Sequence, residues 1–198
     1  MQIRTVVLFF ISFLIPISAF GEDGEAVFSP LTPGEKFHLY LKSTVDPVSI
    51  FASAFSSGFN QAFDSIPEWG QGMEGYGKRF ASSYGQKAVE KTVLYGLNNL
   101  LREDPRYFYA ERQDIRGRTL HAVSEVFIAH TDSGGTRPNY SWFASTASSI
   151  YISRKWHPEK YRTTGNYLQG AAMSIGIQSA KSVFTEFWPD IKKKFLKR

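Results

Sequence analysis

The amino-acid sequence predicts an all-α protein, a single-domain bundle of about six helices with closely packed small-residue interfaces. Three observations predict it. Apolar residues recur at three- and four-residue spacing along most of the chain. No stretch alternates Val, Ile or Thr with polar residues as a half-buried strand would. Capping residues followed by proline mark helix starts, and Gly/Pro/Asp clusters mark the breaks. With 198 residues, 42% of them apolar and 21% charged, the chain suits one globular domain and is not a disordered tract.

Residues 1–21 read as a secretory signal peptide. Arg4 is the positive start, Val6 to Ile17 is an apolar run, and Ala19-Phe20-Gly21 offers small residues for cleavage before Glu22. A run of about 12 residues is short of the ~20 that a spanning helix needs, so cleavage is expected over a retained anchor. Residues 22–31 are an acidic, Gly/Pro-punctuated lead-in, 32–191 the bundle, and 192–198 a basic tail.

Within the bundle, Thr32-Pro33-Gly34-Glu35 has the form of a capping box, starting a helix to about Val45. Asp46-Pro47 starts the next, to about Phe63. Phe51, Phe55, Phe59 and Phe63 share one face of it, read as core. Pro67 breaks the chain before a long helix over 71–101, in which Gly77, Ala81, Gly85 and Ala88 form a small-residue stripe beside Tyr76, Phe80 and Tyr84. A helix is expected over 117–130, with Leu120, Val123, Phe127 and His130 on one stripe, then a loop at 132–138. Asn139 to Ser153 is read as helical with Ser141, Ser145, Ser149 and Ser153 in a row. The last helix covers about 163–193, with Ala172, Gly176 and Ala180 recurring every fourth residue. Residues 47–63, 138–153 and 163–180 carry no charge. Their many Ser, Thr, Asn, Gln and Gly residues favour buried core helices over helices docked on or crossing a bilayer.

Composition narrows the function. There is no cysteine, which excludes disulfides, thiolate metal sites and a cysteine nucleophile. An exported chain without disulfides has to rely on packing alone. The net charge of +5 is modest, partly gathered in the tail, and comes with no nucleic-acid motif, so nucleic acid is not an expected partner. The tail, near Phe187 and Trp188, could touch an anionic membrane or simply complement a helix dipole.

The candidate chemistry is thin. Glu125, His130 and Asp132 bring carboxylates and imidazole together, with His121 and Glu125 on one helical face; this suits acid–base work but matches no zinc motif. Arg106, in Asp104-Pro105-Arg106-Tyr107-Phe108, is expected to pair with a buried carboxylate such as Glu125 or Glu186, or to grip an anion. Arg79 and Glu186 are candidate ligand-binding residues that could also pair with each other. No metal site and no cofactor is expected. Gly75 and Gly77 fit neither a P-loop nor a dinucleotide fingerprint, and no serine sits in a G-x-S-x-G elbow.

The segments Leu31-Thr32-Pro33 to Lys36-Phe37, Glu74 to Arg79 (EGYGKR), Asp104 to Phe108 (DPRYF), Phe127 to Gly135 (FIAHTDSGG), Asn139-Tyr140-Ser141 and Glu186 to Asp190 (EFWPD) resemble those of a family of uncharacterised exported bacterial proteins. The resemblance spans nearly the whole chain after the leader. It implies export and a single domain in a bacterial envelope, and transfers no functional residue. The expected function is therefore that of an exported envelope protein, in the periplasm or associated with the outer membrane, which binds a protein or lipid surface without catalysis. The alternative is an envelope hydrolase or lipid-modifying enzyme using Glu125, His130, Asp132 and Arg106. Which holds depends on whether Arg79, Arg106, Glu125, His130 and Glu186 meet inside the bundle.

Overall fold

The structure, a computed structural model, describes residues 29–196. The expected leader, its cleavage site and the end of the basic tail lie outside the described residues. The molecule is a mostly helical single domain whose described residues form six α-helices and one small sheet. The helices are α1 (Pro33–Thr44), α2 (Pro47–Ala62), α3 (Gly72–Leu100), α4 (Ile115–Ser124), α5 (Tyr140–Ser153) and α6 (Thr164–Leu196). Single 3-10 turns at Pro67–Trp69 and Glu159–Tyr161 shape the connections before α3 and α6.

The expected caps form. Thr32 accepts from the Glu35 amide while the Glu35 carboxylate accepts from the Thr32 amide at 2.8 Å, closing the capping box. These bonds hold the Glu35 pKa below the usual carboxylate range. Asp46 caps α2 through the Ser49 amide, and Asn139 caps α5 through the Trp142 amide at 3.1 Å.

The central seam is α3 against α5, the most extensive helix contact; α2 and α1 also pack on α3, and α6 lies against α4 and α5. Ser141, Ser145, Ser149 and Ser153 all lie fully buried on α5. Three of them return their hydroxyls to their own helix, to the carbonyls of Trp142, Thr146 and Ile150, each at 2.9 Å. A serine that satisfies itself in this way leaves only a small, polarity-neutral surface, so a neighbouring backbone can come close.

The other expected stripes are not interfaces. Gly77, Ala81, Ala172, Gly176 and Ala180 are exposed, and a Cβ built on Gly77 or Gly176 meets nothing within 4 Å. The phenylalanine face of α2 is not core either. Phe51 is 63% exposed and Phe63 64%, while Ser53 and Ser57 are the buried residues of that helix. Period alone marks a face; it does not say which way the face turns.

One element within the mostly helical fold differs from expectation. The helix expected over 117–130 ends at Ser124, and Ile128–Thr131 is strand β2. It pairs antiparallel with β1 (Glu103–Asp104) on one side and β3 (Thr136–Pro138) on the other, Asp104 opposite His130 and Ala129 opposite Arg137. The Asp132 amide extends the pairing to the Arg102 carbonyl at 2.9 Å. The apolar run from Val126 to Ala129 is short enough to join either element, and two waiting partners decide for strand. Leu120 and Phe127, expected on the buried stripe, are exposed.

The EGYGKR segment is a structural corner. Glu74 and Lys78 pair at i, i+4 across 2.6 Å. Gly75 lies so close to the turn before α3 that a Cβ would stand 2.1 Å from the Gly70 carbonyl oxygen. Buried Arg79 then donates to the carbonyls of Gly70 and Ile66, at 2.7 and 3.0 Å, and to Gln61 Oε1. Its ion pair is with Asp64, at 3.3 Å.

Two predictions test this packing. Gly75→Ala should cost about 1–3 kcal/mol in urea unfolding, as overpacking does, whereas Gly77→Ala, in open space, should be neutral or slightly stabilising. The second concerns His157, buried against Trp69 with Nδ1 2.7 Å from the Ser153 carbonyl. Burial holds its pKa below the ordinary histidine value. The unfolded chain therefore takes up this proton first. The stability present above about pH 6.5 is lost as pH falls through the folded value. His157→Asn should flatten that acid limb when urea midpoints are compared at neutral and mildly acidic pH.

Candidate functional site

The segments Asp104 to Phe108, Phe127 to Gly135 and Glu186 to Asp190 come together where α4, α6, the 105–114 connection and the sheet meet. The connection descends from β1 and passes over α6. Its Tyr107 hydroxyl donates to Glu186 Oε2 at 3.0 Å, and the Ala110 amide donates to the same oxygen at 3.2 Å. Arg118 of α4 supplies the counter-charge: Nε donates to Glu186 Oε1 at 2.9 Å, Nη2 to the Glu186 carbonyl at 2.6 Å, and Nη1 to Asp190 at 2.5 Å. Its guanidinium also lies 4.5 Å over the Phe187 ring. The hydrogen bonds it donates to Glu186 and then to Asp190 raise the Arg118 pKa. Glu186, 1% exposed, is thus a charge fully met inside the protein. Burial, reinforced by Glu186, pushes Tyr107 far above its ordinary value and keeps it protonated as a donor.

A second pair stands beside the first. His130 Nε2 lies 3.1 and 3.0 Å from the two oxygens of Glu125, and its ring stacks on Phe108 at 4.0 Å. His121 bridges the pairs: Nε2 is 3.7 Å from Glu125 and Nδ1 3.9 Å from Glu186. The i, i+4 relation of His121 and Glu125 is as the sequence predicts. His130 reaches Glu125 from strand β2, not from a helix end.

The remaining predicted residues do not join this cluster. Arg106 pairs with its own neighbour Asp104 at 2.5 Å, not with Glu125 or Glu186, and donates to the Ser29 carbonyl at 2.8 Å. The Asp104 hydrogen bond raises its pKa. Asp132 takes Lys36 of α1 at 2.7 Å; Lys36 is 3% exposed, and this pair ties α1 to the sheet. Arg79 sits in the α2–α3 corner, away from Glu186. Of the five residues expected to meet, Glu125, His130 and Glu186 share one region, Arg106 lines the same cavity as Glu125 and His130 while pairing with Asp104, and Arg79 stands apart. The sequence signal missed Arg118, the true partner of Glu186; it lies on α4 with no motif around it. Lys36, inside an ordinary amphipathic helix, was missed for the same reason.

Between these pairs lies a polar cavity of about 190 Å³, lined among others by Asn98, Glu103, Tyr107, Glu125, His130 and Ser182. Glu103 is buried; Arg137 donates to its Oε1 at 2.9 Å, while Oε2 has no hydrogen-bond partner. The Arg137 guanidinium also donates to the Leu101 carbonyl. A carboxylate-oriented imidazole at a cavity wall has the elements of a general base. Among the described residues no Ser or Thr hydroxyl hydrogen-bonds His130, and no group of three or more His, Asp or Glu is placed to hold a metal ion. No protein-family model, no curated protein and no solved structure matches the chain.

Glu186→Gln should cost about 3 kcal/mol, the low end for breaking a buried ion pair because Arg118 keeps Asp190. Tyr107→Phe should cost about 1 kcal/mol, one hydrogen bond. Urea unfolding of both variants checks the order. Equal costs would mean that Glu186 is not the anchor of this cluster.

Proposed function

We propose that the chain is an exported cell-envelope protein with a binding or structural role, a helical bundle that seats on a protein or lipid surface. The observation that carries this reading is its inverted distribution of polarity. The buried set is dominated by Ser, Thr, Lys, Arg and Glu side chains, while Phe51, Phe63, Met73, Leu100, Leu168 and Met173 are each more than half exposed. Exposed apolar area on this scale marks a contact surface on a soluble protein. The site chemistry supports the same reading, because Glu125, Glu186, Asp132 and Arg106 already have protein partners within ion-pair distance. Filled hydrogen-bonding capacity is the mark of a structural polar core.

The second reading, an envelope hydrolase or lipid-modifying enzyme, is favoured by the Glu125–His130 pair beside the cavity and by the unpartnered Glu103 oxygen.

Purified protein comprising residues 22–198 should co-sediment with anionic vesicles or with an envelope fraction, and Glu125→Gln should leave that association unchanged. Protein that stays monomeric and unbound in both mixtures would remove the first reading. Turnover of an ester or phosphoester substrate that disappears in Glu125→Gln would establish the second.

A further inference from the structure

We propose that the exposed face of the α5–α6 pair inserts into the acyl-chain region of one leaflet of an anionic membrane. This rests on the surface-binding reading above and names the surface.

The face is mostly apolar. On α5 it presents Tyr140, Phe143, Ala144, Ala147 and Tyr151, and on α6 Leu168, Ala172, Met173, Gly176 and Ile177, with Gln169 the polar residue among them, all exposed. The two helices are neighbours: the Tyr151 and Tyr167 rings stack at 6.1 Å, and a Cβ on Gly170 would stand 3.4 Å from Ile150. Residues 138–153 and 163–180 carry no charge. On α5 Ser145, Ser149 and Ser153 turn inward and bond to their own helix beside buried Trp142 and Ile150, while Tyr140, Phe143 and Tyr151 turn outward. In water the hydrophobic effect drives the opposite arrangement. Lipid gives apolar side chains no reason to leave the surface and gives small hydroxyl residues a place between helices.

The charges around the face choose its occupant. Where α5 ends and α6 begins stand Arg154, Lys155 and Arg162 against the single acid Glu159, while Arg137 and Lys160 of the same stretch are paired with Glu103 and Glu68. Lys155 lies at the rim, 4.5 Å over the Tyr151 ring. A second copy of the chain packed on this face would set like charges against like. Anionic headgroups complement them, and aromatic residues above a basic rim suit the boundary between headgroups and acyl chains.

Depth follows from length. No helix among the described residues is long and apolar enough to cross a membrane. The 14 residues of α5 measure about 21 Å against a hydrocarbon core of about 30 Å. The pair therefore enters one leaflet and does not span.

The absence of cysteine makes a direct test simple. Ala147→Cys, Ile177→Cys and, as a control, the exposed Gln113→Cys are made in residues 22–198 and labelled with an environment-sensitive fluorophore. They are mixed with phosphatidylglycerol or phosphatidylcholine vesicles containing nitroxide lipids. Labels at 147 and 177 should shift to the blue and be quenched in phosphatidylglycerol vesicles, and the label at 113 should not. Met173→Asp with Ile177→Asp should weaken vesicle partition by about tenfold or more, with an unchanged circular-dichroism melt. Binding to vesicles with unquenched labels at 147 and 177 would overturn this inference and leave the surface-binding reading standing. Concentration-dependent protection of those labels without lipid would assign the face to a second copy and overturn it as well. No association with vesicles or with an envelope fraction would overturn the broader reading.

Discussion

The buried carboxylate of Glu186 is the contact on which the far end of the bundle depends. It accepts from Arg118 of α4, from the Tyr107 hydroxyl and from the Ala110 amide, so one side chain of α6 holds a second helix and an irregular connection. The connection would otherwise leave backbone groups without partners next to the core. Such a charge is costly to bury and is tolerated only when its lone pairs are filled. In a chain with no disulfide, this cluster, the Arg79 corner and the Lys36–Asp132 pair do locally what covalent links do in disulfide-stapled domains.

These polar anchors belong to a wider inversion. The fully buried apolar side chains are few, Ala122, Val126, Ala129, Trp142 and Ile150 among the described residues, and each sits near α5, α4 or the sheet. Burying apolar area stabilises a fold by roughly 25 cal/mol per Å², so a bundle that leaves Phe51, Phe63 and Met73 outside forgoes part of that term in water. Close helix contact through self-bonded serines supplies dispersion in its place. The arrangement makes physical sense when the outer surface meets something other than water, and this joins the fold to the functional reading.

The caps and breaks were legible because they are local. Thr32 and Glu35 lie within one turn, as do Asp46 and Ser49, and their chemistry needs no other part of the chain. The i, i+4 pairing of His121 with Glu125 was legible for the same reason. Strand β2 was not, because a four-residue strand exists only through its neighbours, and those are Glu103–Asp104 and Thr136–Pro138. The candidate site was half legible. Glu125, His130 and Glu186 do come to one region, but Arg118, Lys36 and Arg137 complete the ion pairs from elements that carry no motif.

By itself, then, the sequence determined the six helices of the described residues, their starts, the long α3 and α6, and the absence of disulfides and thiolate sites. These follow from short-range sterics, capping and composition. The tertiary structure decided which way each amphipathic face turns, where Val126 to Thr131 pairs, and which cation meets which carboxylate. Those outcomes depend on contacts between residues tens of positions apart, as between Lys36 and Asp132 or Arg118 and Glu186. A stripe of small residues at four-residue spacing reads alike on a buried and on an exposed face; in this protein the serines of α5 turned in, while Gly77 of α3 and Gly176 of α6 turned out.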